Sequence, residues 1–158
     1  MSRGNAKTKQ HKLLSDEKYD SIALAKFMNY IMLNGKKTVA TDIVYDALDE
    51  ASKKTNVPQM DVFNQALKNV GPLLEVKSKR IGGANYQVPM EVNKDRKNTL
   101  AMRWIIEAAR GGKGAPMAQK LAGEIIAAYN GEGAAIKKKQ DTHRMAEANK
   151  AFAHFARF

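Results

Sequence analysis

The stretch Glu75-Val-Lys-Ser-Lys-Arg-Ile-Gly-Gly-Ala-Asn-Tyr-Gln-Val-Pro-Met-Glu-Val92 decides how this chain is read. It alternates, carries β-branched and aromatic residues and turns at Gly82-Gly83, while nearly everything else has helical periodicity. Val76, Tyr86, Val88, Met90 and Val92 share a mostly apolar face, with Lys77, Lys79, Gln87 and Glu91 on the other. A two-residue Gly82-Gly83 turn would set Lys77 opposite Val88. A three-residue loop, Gly82 to Ala84, would pair Val76 with Met90 and Ser78 with Val88. Matching apolar to apolar favours the three-residue loop. Lys77, Lys79 and Arg80 near the tip have no acid among them. The ribbon therefore reads either as an arm that meets a polyanion or as a solvated hairpin, because two strands alone are marginal in water.

Working outward, 158 residues fit one domain with a real core. A formal net charge of +11 and a pI near 9.8 call for a polyanionic partner, nucleic acid or an anionic membrane. No apolar run reaches the ~20 residues of a membrane span, and the basic start lacks the apolar core of a secretory signal. Zero cysteines exclude a disulfide framework and thiolate chemistry.

Residues 1–14 hold Arg3, Lys7, Lys9 and Lys12 without an acid, which predicts a basic extension that is disordered without RNA. Residues 15–158 form the domain. Asp20 or Ser21 can cap a first helix carrying Phe27, Met28 and Ile31, which Asn34-Gly35 ends. Lys36-Lys37 lies in the turn. The second helix buries Val44 and Leu48 and shows Asp42, Asp46, Asp49 and Glu50 outward. Pro58 opens the third, and Gly71-Pro72 stops it. After the ribbon Asn98 can cap a fourth helix holding Trp104 and Ile105. Arg103 and Arg110, seven apart, share one face there, with Arg96 in line if the helix extends that far. Glu107 between them can instead make this a salt-bridged solvent face. Lys113 follows in a glycine-rich loop. Met117, Leu121, Ile125 and Tyr129 mark a fifth helix. The sixth begins either near Lys137 or at an Asp141 or Thr142 cap. Phe152, Phe155 and Phe158 close the chain at spacing three. The fold class is mainly α: a six-helix domain with a protruding two-stranded antiparallel β-ribbon at about 75–92, inserted between helices three and four.

Charge is polarised. Lys77, Lys79, Arg80, Lys94, Arg96, Lys97 and Arg103 face only Glu91 and Asp95 over residues 76–103, a net of +5. Lys137, Lys138, Lys139, Arg144, Lys150 and Arg157 face Asp141 and Glu147 over 136–158, a net of +4. Residues 38–61 are acidic, at −3. Cations far outnumber aromatic residues on the basic segments, so phosphate contact dominates over base stacking. Tyr86 and the terminal phenylalanines are the stacking candidates. His11, His143 and His154 make no catalytic or metal pattern, and Gly82-Gly83 precedes no helix, so no enzyme, cofactor or metal is expected.

The ribbon block resembles small-subunit ribosomal protein seven of the bacterial type. Leu100-Ala-Met-Arg-Trp-Ile-Ile-Glu-Ala-Ala-Arg110 and His143-Arg-Met-Ala-Glu-Ala-Asn-Lys-Ala-Phe-Ala-His154 agree with it, as does the weaker Asn34-Gly-Lys-Lys-Thr38, in order and spacing. The resemblance implies a helical ribosomal protein that binds the head (3′ major) domain of small-subunit ribosomal RNA and nucleates head assembly. It puts ribbon and C-terminal helix at the exit site, beside transfer RNA and small-subunit proteins eleven and nine, in the cytoplasm or an organelle. Carried over, RNA contact falls on Lys36, Lys37, Lys77, Lys79, Arg80, Arg96, Lys97, Arg103, His143 and Arg144. Arg3, Lys7, Lys9, Lys12, Arg110, Lys113, Lys137, Lys138 and Lys139 join them from the charge map. Gly82, Gly83, Ala84, Asn85 and Tyr86 become the tip near transfer RNA. Changing Lys77, Lys79 and Arg80 together to alanine is expected to weaken RNA binding without moving the thermal midpoint. The tail and Asn93-Lys-Asp-Arg-Lys97 are poorer in arginine than the family pattern, and Phe155-Ala-Arg-Phe158 departs from its usual ending. A DNA-architectural protein with a basic ribbon arm is the alternative. Its groove-entering arms commonly end in an apolar wedge, whereas this tip is Gly-Gly-Ala-Asn with Pro89 further down.

Overall fold

Ser21, in extended conformation, accepts the Leu24 N–H at 3.3 Å and so starts the first helix, α1 (Ile22–Ile31), in a computed structural model that describes residues 13–157. The helix stops short of Asn34 and Gly35, whose positive φ angles of 53° and 73° shape the turn beyond it. Next come α2 (Lys37–Thr55) and α3 (Gln59–Val70), the latter opened by Pro58, where a missing N–H costs nothing. The ribbon strands are β1 (Leu74–Ile81) and β2 (Ala84–Glu91). They are followed by α4 (Lys94–Gly111), α5 (Met117–Tyr129), α6 (Ala134–Ala148) and a closing 3-10 helix (Lys150–Arg157). The mainly helical class, with the ribbon between the third and fourth helices, agrees with the sequence reading.

α5 sits against α2, α3, α4 and α6. Its Leu121, Ala122, Ile125 and Ala128 meet Val44 and Leu48 of α2, Phe63 and Val70 of α3, and Met102 and Ile105 of α4 in one buried cluster. Phe27 and Phe63 pack edge to face at 5.2 Å. Removing a fully buried leucine such as Leu121 costs about 2–5 kcal/mol in cores of this kind. Asn69 ties α3 to the end of α5 by donating to the Ala128 and Tyr129 carbonyls at 3.0 and 2.9 Å. Carbonyls in the last turn of a helix lack the usual intrahelical donor, and the Ala128 carbonyl also takes the Gly131 N–H at 3.2 Å.

One helix start differs from expectation, and the start left open for the sixth helix falls on the earlier side. Asn93, not Asn98, caps α4: its Oδ1 accepts the Arg96 N–H at 2.9 Å, five residues earlier. Arg96, Arg103 and Arg110 therefore lie in one continuous helix. α6 begins at Ala134, and Asp141 and Thr142 are mid-helix. Its N-cap is Gly133, which has no side chain to offer, so Glu124 of α5 supplies the acceptor to the Ala135 N–H at 2.8 Å. Gly133 has φ 95°, and a Cβ there would meet Glu124 Oε1 at 2.8 Å. Only glycine serves that turn.

The ribbon corrects the favoured register. Gly82 and Gly83 form a two-residue turn with φ of 57° and 88°, and Ile81 pairs with Ala84, Lys77 with Val88 and Val76 with Pro89. Positive φ at both central residues is the turn whose twist matches a right-twisted ribbon. Matching apolar to apolar misjudged the register because one face of the ribbon is completed by other parts of the chain. The face bearing Glu75, Lys77, Lys79, Tyr86 and Val88 meets α6 and the closing 3-10 helix. Tyr86 lies 5.3 Å from Phe152 and 5.1 Å from Phe155, and spacing three puts those two rings on one side of a 3-10 helix.

Candidate nucleic-acid interface

The ribbon base is organised by a buried acid. Glu75 is 9% exposed and accepts from Lys77 Nζ at 3.1 Å and from Arg96 Nη2 and Nε, each at 3.2 Å. Burial pushes its carboxyl up, but the hydrogen bonds and charges of Lys77 and Arg96 outweigh that and hold it below the ordinary value. Toward the tip Lys79 donates to the Phe155 and Ala156 carbonyls, both at 3.2 Å. Gly82, Gly83, Ala84, Asn85 and Arg80 are exposed, while Tyr86 is half-buried beneath the terminal rings. Two of the three tip cations thus hold the fold together. The triple change at Lys77, Lys79 and Arg80 perturbs the ribbon itself, and Arg80 alone is the clean probe.

Along α4, Arg96 is spent on Glu75. Arg103 lies over the Tyr30 ring at 5.4 Å. Arg110 Nη2 donates to the Ile31 carbonyl at 3.1 Å, near the end of α1. Glu107 pairs with Lys138 of α6 at 2.6 Å rather than with either arginine. Arg110 and Lys36 border an apolar groove of about 450 Å³ lined by Leu33, Val39, Ile43 and Met117.

On α6, Lys139 Nζ donates to the Asn69 carbonyl at 2.7 Å, and burial together with nearby Lys97 pushes its pKa down. His143 accepts the Leu73 N–H on Nε2 at 3.0 Å. Burial first, then Lys139 and Lys97, lower its pKa, so it is a neutral imidazole whose proton sits on Nδ1. Arg144 reaches Asp141 at 3.6 Å and stays largely in water. The side chains of Lys36, Lys37, Arg80, Lys97, Lys113 and Lys137 make neither hydrogen bond nor ion pair among the described residues. Arg3, Lys7, Lys9 and Lys12 lie outside those residues. Lys94, exposed in the first turn of α4, is a further cation whose side chain has no partner among the described residues, and it belongs to the same basic run.

Against this the outer face of α2 is acidic. Asp42 and Asp46 are exposed, and Asp49 and Glu50 are partnered by Lys18 and Lys54. No group of three or more histidines and carboxylates able to hold a metal gathers among the described residues. No described helix is long and apolar enough to cross a membrane.

The family model for ribosomal protein S7p/S5e matches residues 2–150. The small ribosomal subunit protein uS7 of Nitrosococcus oceani is 56% identical over 146 residues, covering 92% of this chain and 94% of that one. Its namesake in Thermotoga maritima is 54% identical over 155 residues, covering 98% and 99%. That in Thermotoga petrophila is 58% identical over 140 residues, covering 89% and 90%. The chain belongs to the ribosomal protein S7p/S5e family, whose members are structural and not enzymatic parts of the ribosome.

Proposed function

We propose that this chain is a structural protein of the small ribosomal subunit that binds the head domain of its ribosomal RNA, helps nucleate that domain, and holds the ribbon tip at the exit site near transfer RNA. One observation carries the RNA reading: among the described residues, cations without a carboxylate gather in the α1–α2 turn (Lys36, Lys37), at the ribbon tip (Arg80), at the start of α4 (Lys94, Lys97) and on α6 (Lys137, Lys139), while Lys26, Lys53 and Lys68 are scattered singly over α1, α2 and α3 and the outer face of α2 carries four acids. Small-subunit proteins eleven and nine are its expected protein neighbours. The basic extension at residues 1–14, most of which lies outside the described residues, adds cations for the RNA, and residues 15–158 act as one domain. The exposed Gly-Gly-Ala-Asn tip is small enough to lie close to another backbone.

Binding of a folded head-domain junction, compared with random duplex DNA at several salt concentrations, tests this. Tight RNA binding that falls as salt rises, with duplex DNA much weaker, supports it. Equal affinity for both sinks it. Arg80→Ala lowers RNA affinity and leaves the thermal midpoint in place, since the guanidinium has no partner among the described residues.

A further inference from the structure

Three basic side chains converge where the end of α3 runs into β1. Lys139, on α6, holds the Asn69 carbonyl at 2.7 Å. His143, one turn further along α6, takes the Leu73 N–H at 3.0 Å. Lys97, in the first turn of α4, lays its stem over Gly71, where a Cβ would meet its Cγ and Cε at 2.7 Å. The three feel one another: beyond the effect of burial, Lys97 opposes charge on both Lys139 and His143, and Lys139 opposes it on His143.

No carboxylate answers them among the described residues. Glu75, at the ribbon base, is taken by Lys77 and Arg96, and Asp141 lies with Arg144. Capping the last carbonyls of α3 explains one lysine, not two. After that cap Lys139 keeps two N–H donors, Lys97 keeps all three, and the neutral ring keeps Nδ1–H. A second cation beside the first costs stability unless an anion joins them. A tetrahedral oxyanion, with several acceptor oxygens and at least one negative charge, satisfies this donor set.

We propose that Lys97, Lys139 and His143 form a single seat for one phosphate group, which on the ribosomal reading above is a backbone phosphodiester of RNA. The seat deepens that reading by assigning the three residues one shared phosphate in place of three independent contacts. Gly71 belongs to it by leaving room for the Lys97 stem.

The test uses the full chain. Inorganic phosphate is titrated at ionic strength held constant with chloride, following the His143 ring nitrogens and the Leu73 amide by NMR. Saturating shifts are expected, weakened about tenfold or more in Lys97→Gln and Lys139→Gln and unchanged in Lys26→Gln, an exposed lysine of α1 outside every candidate site. Unsaturated drift, equal in all variants, overturns the seat. With the head-domain RNA fragment, each single variant lowers the slope of log K against log salt by about one, and the double variant lowers it no further. An additive loss of about two means separate phosphates and overturns the seat even if RNA binding stands. RNA bound no better than duplex DNA overturns the ribosomal reading, and the phosphate titration then judges the seat alone. Lys97→Gln touches no carbonyl, so it remains a fair probe should Lys139→Gln lower the thermal midpoint.

Discussion

Replacing Glu75 by glutamine keeps the shape of the side chain and removes a charge that two cations approach within 3.2 Å. Breaking a fully buried pair at one partner costs about 3–5 kcal/mol, and an exposed pair is worth no more than about 1 kcal/mol. Here the acid side chain is 12% exposed, while Lys77 and Arg96 are 52% and 42% exposed. Water therefore takes up much of the cations' loss. The expected cost at neutral pH is about 1–2 kcal/mol, or several degrees of melting midpoint at about 2–4 °C per kcal/mol in a chain of this size.

The sign of the pH dependence follows from the lowered carboxyl. A group depressed in the folded state stabilises it above the unfolded pKa, about 4.3 for glutamate, and that stability is lost as pH falls through the folded value. Glutamine has no such proton. The wild-type advantage over Glu75→Gln is thus flat from pH 8 to about 5 and closes below about pH 4. Urea unfolding read by the fluorescence of Trp104, the one tryptophan and 8% exposed, measures it. A gap that persists at pH 3 would assign the effect to shape, and no gap at pH 7 would refute the role of Glu75 altogether.

Tyr86→Ala removes the ring that Phe152 and Phe155 contact, so amide exchange in the closing 3-10 helix speeds by about tenfold or more while that of Leu121 and Ile125 holds. Gly83→Val puts a β-branched residue at φ 88° and costs about 1–2 kcal/mol, seen as a lower urea midpoint at unchanged m-value. Tyr45 donates to Asp16 at 2.6 Å, and burial first, then that bond, pushes its pKa up to about 12. Its stabilising share is whole below about pH 10 and is lost as pH rises through about 12. An ultraviolet titration in which a late-ionising component is lost in Tyr45→Phe checks this.

The helices were legible because a 3.6-residue stripe is a local signal: Ser21, Pro58 and Gly71 mark boundaries by their own chemistry. What escaped was non-local. Asn93 and Asn98 are equally good caps on paper, and the polar Lys94-Asp-Arg-Lys97 turn gives no periodicity to separate them. The cap of α6 comes from Glu124 on another helix. The ribbon register failed for the same reason: a lysine facing Val88 looks wrong until Glu75 and the terminal rings appear beside it. At the candidate interface the charge was legible and its employment was not. Nothing in the spacing of Lys79, Arg110, Lys138 or Lys139 foretells which carbonyl or carboxylate each one reaches.

That employment divides the cations in a way that bears on binding. Glu75 and Glu107 offset charge on Lys77, Arg96 and Lys138. The Ile31, Gly112 and Asn69 carbonyls instead hold Arg110, Lys120 and Lys139 in place without a carboxylate to offset their charge. A free lysine such as Lys113 gives up as much as about 2 kcal/mol of rotamer freedom when an anion immobilises it. A carbonyl-anchored cation has already given up much of that on folding, so more of its attraction is available to the anion. The cations that look busiest are then, charge for charge, the better ligands for a polyanion. Removing one also strips a donor from a helix end, so its loss weakens the fold and the interface together. Removing Lys113 takes away only loosely held charge.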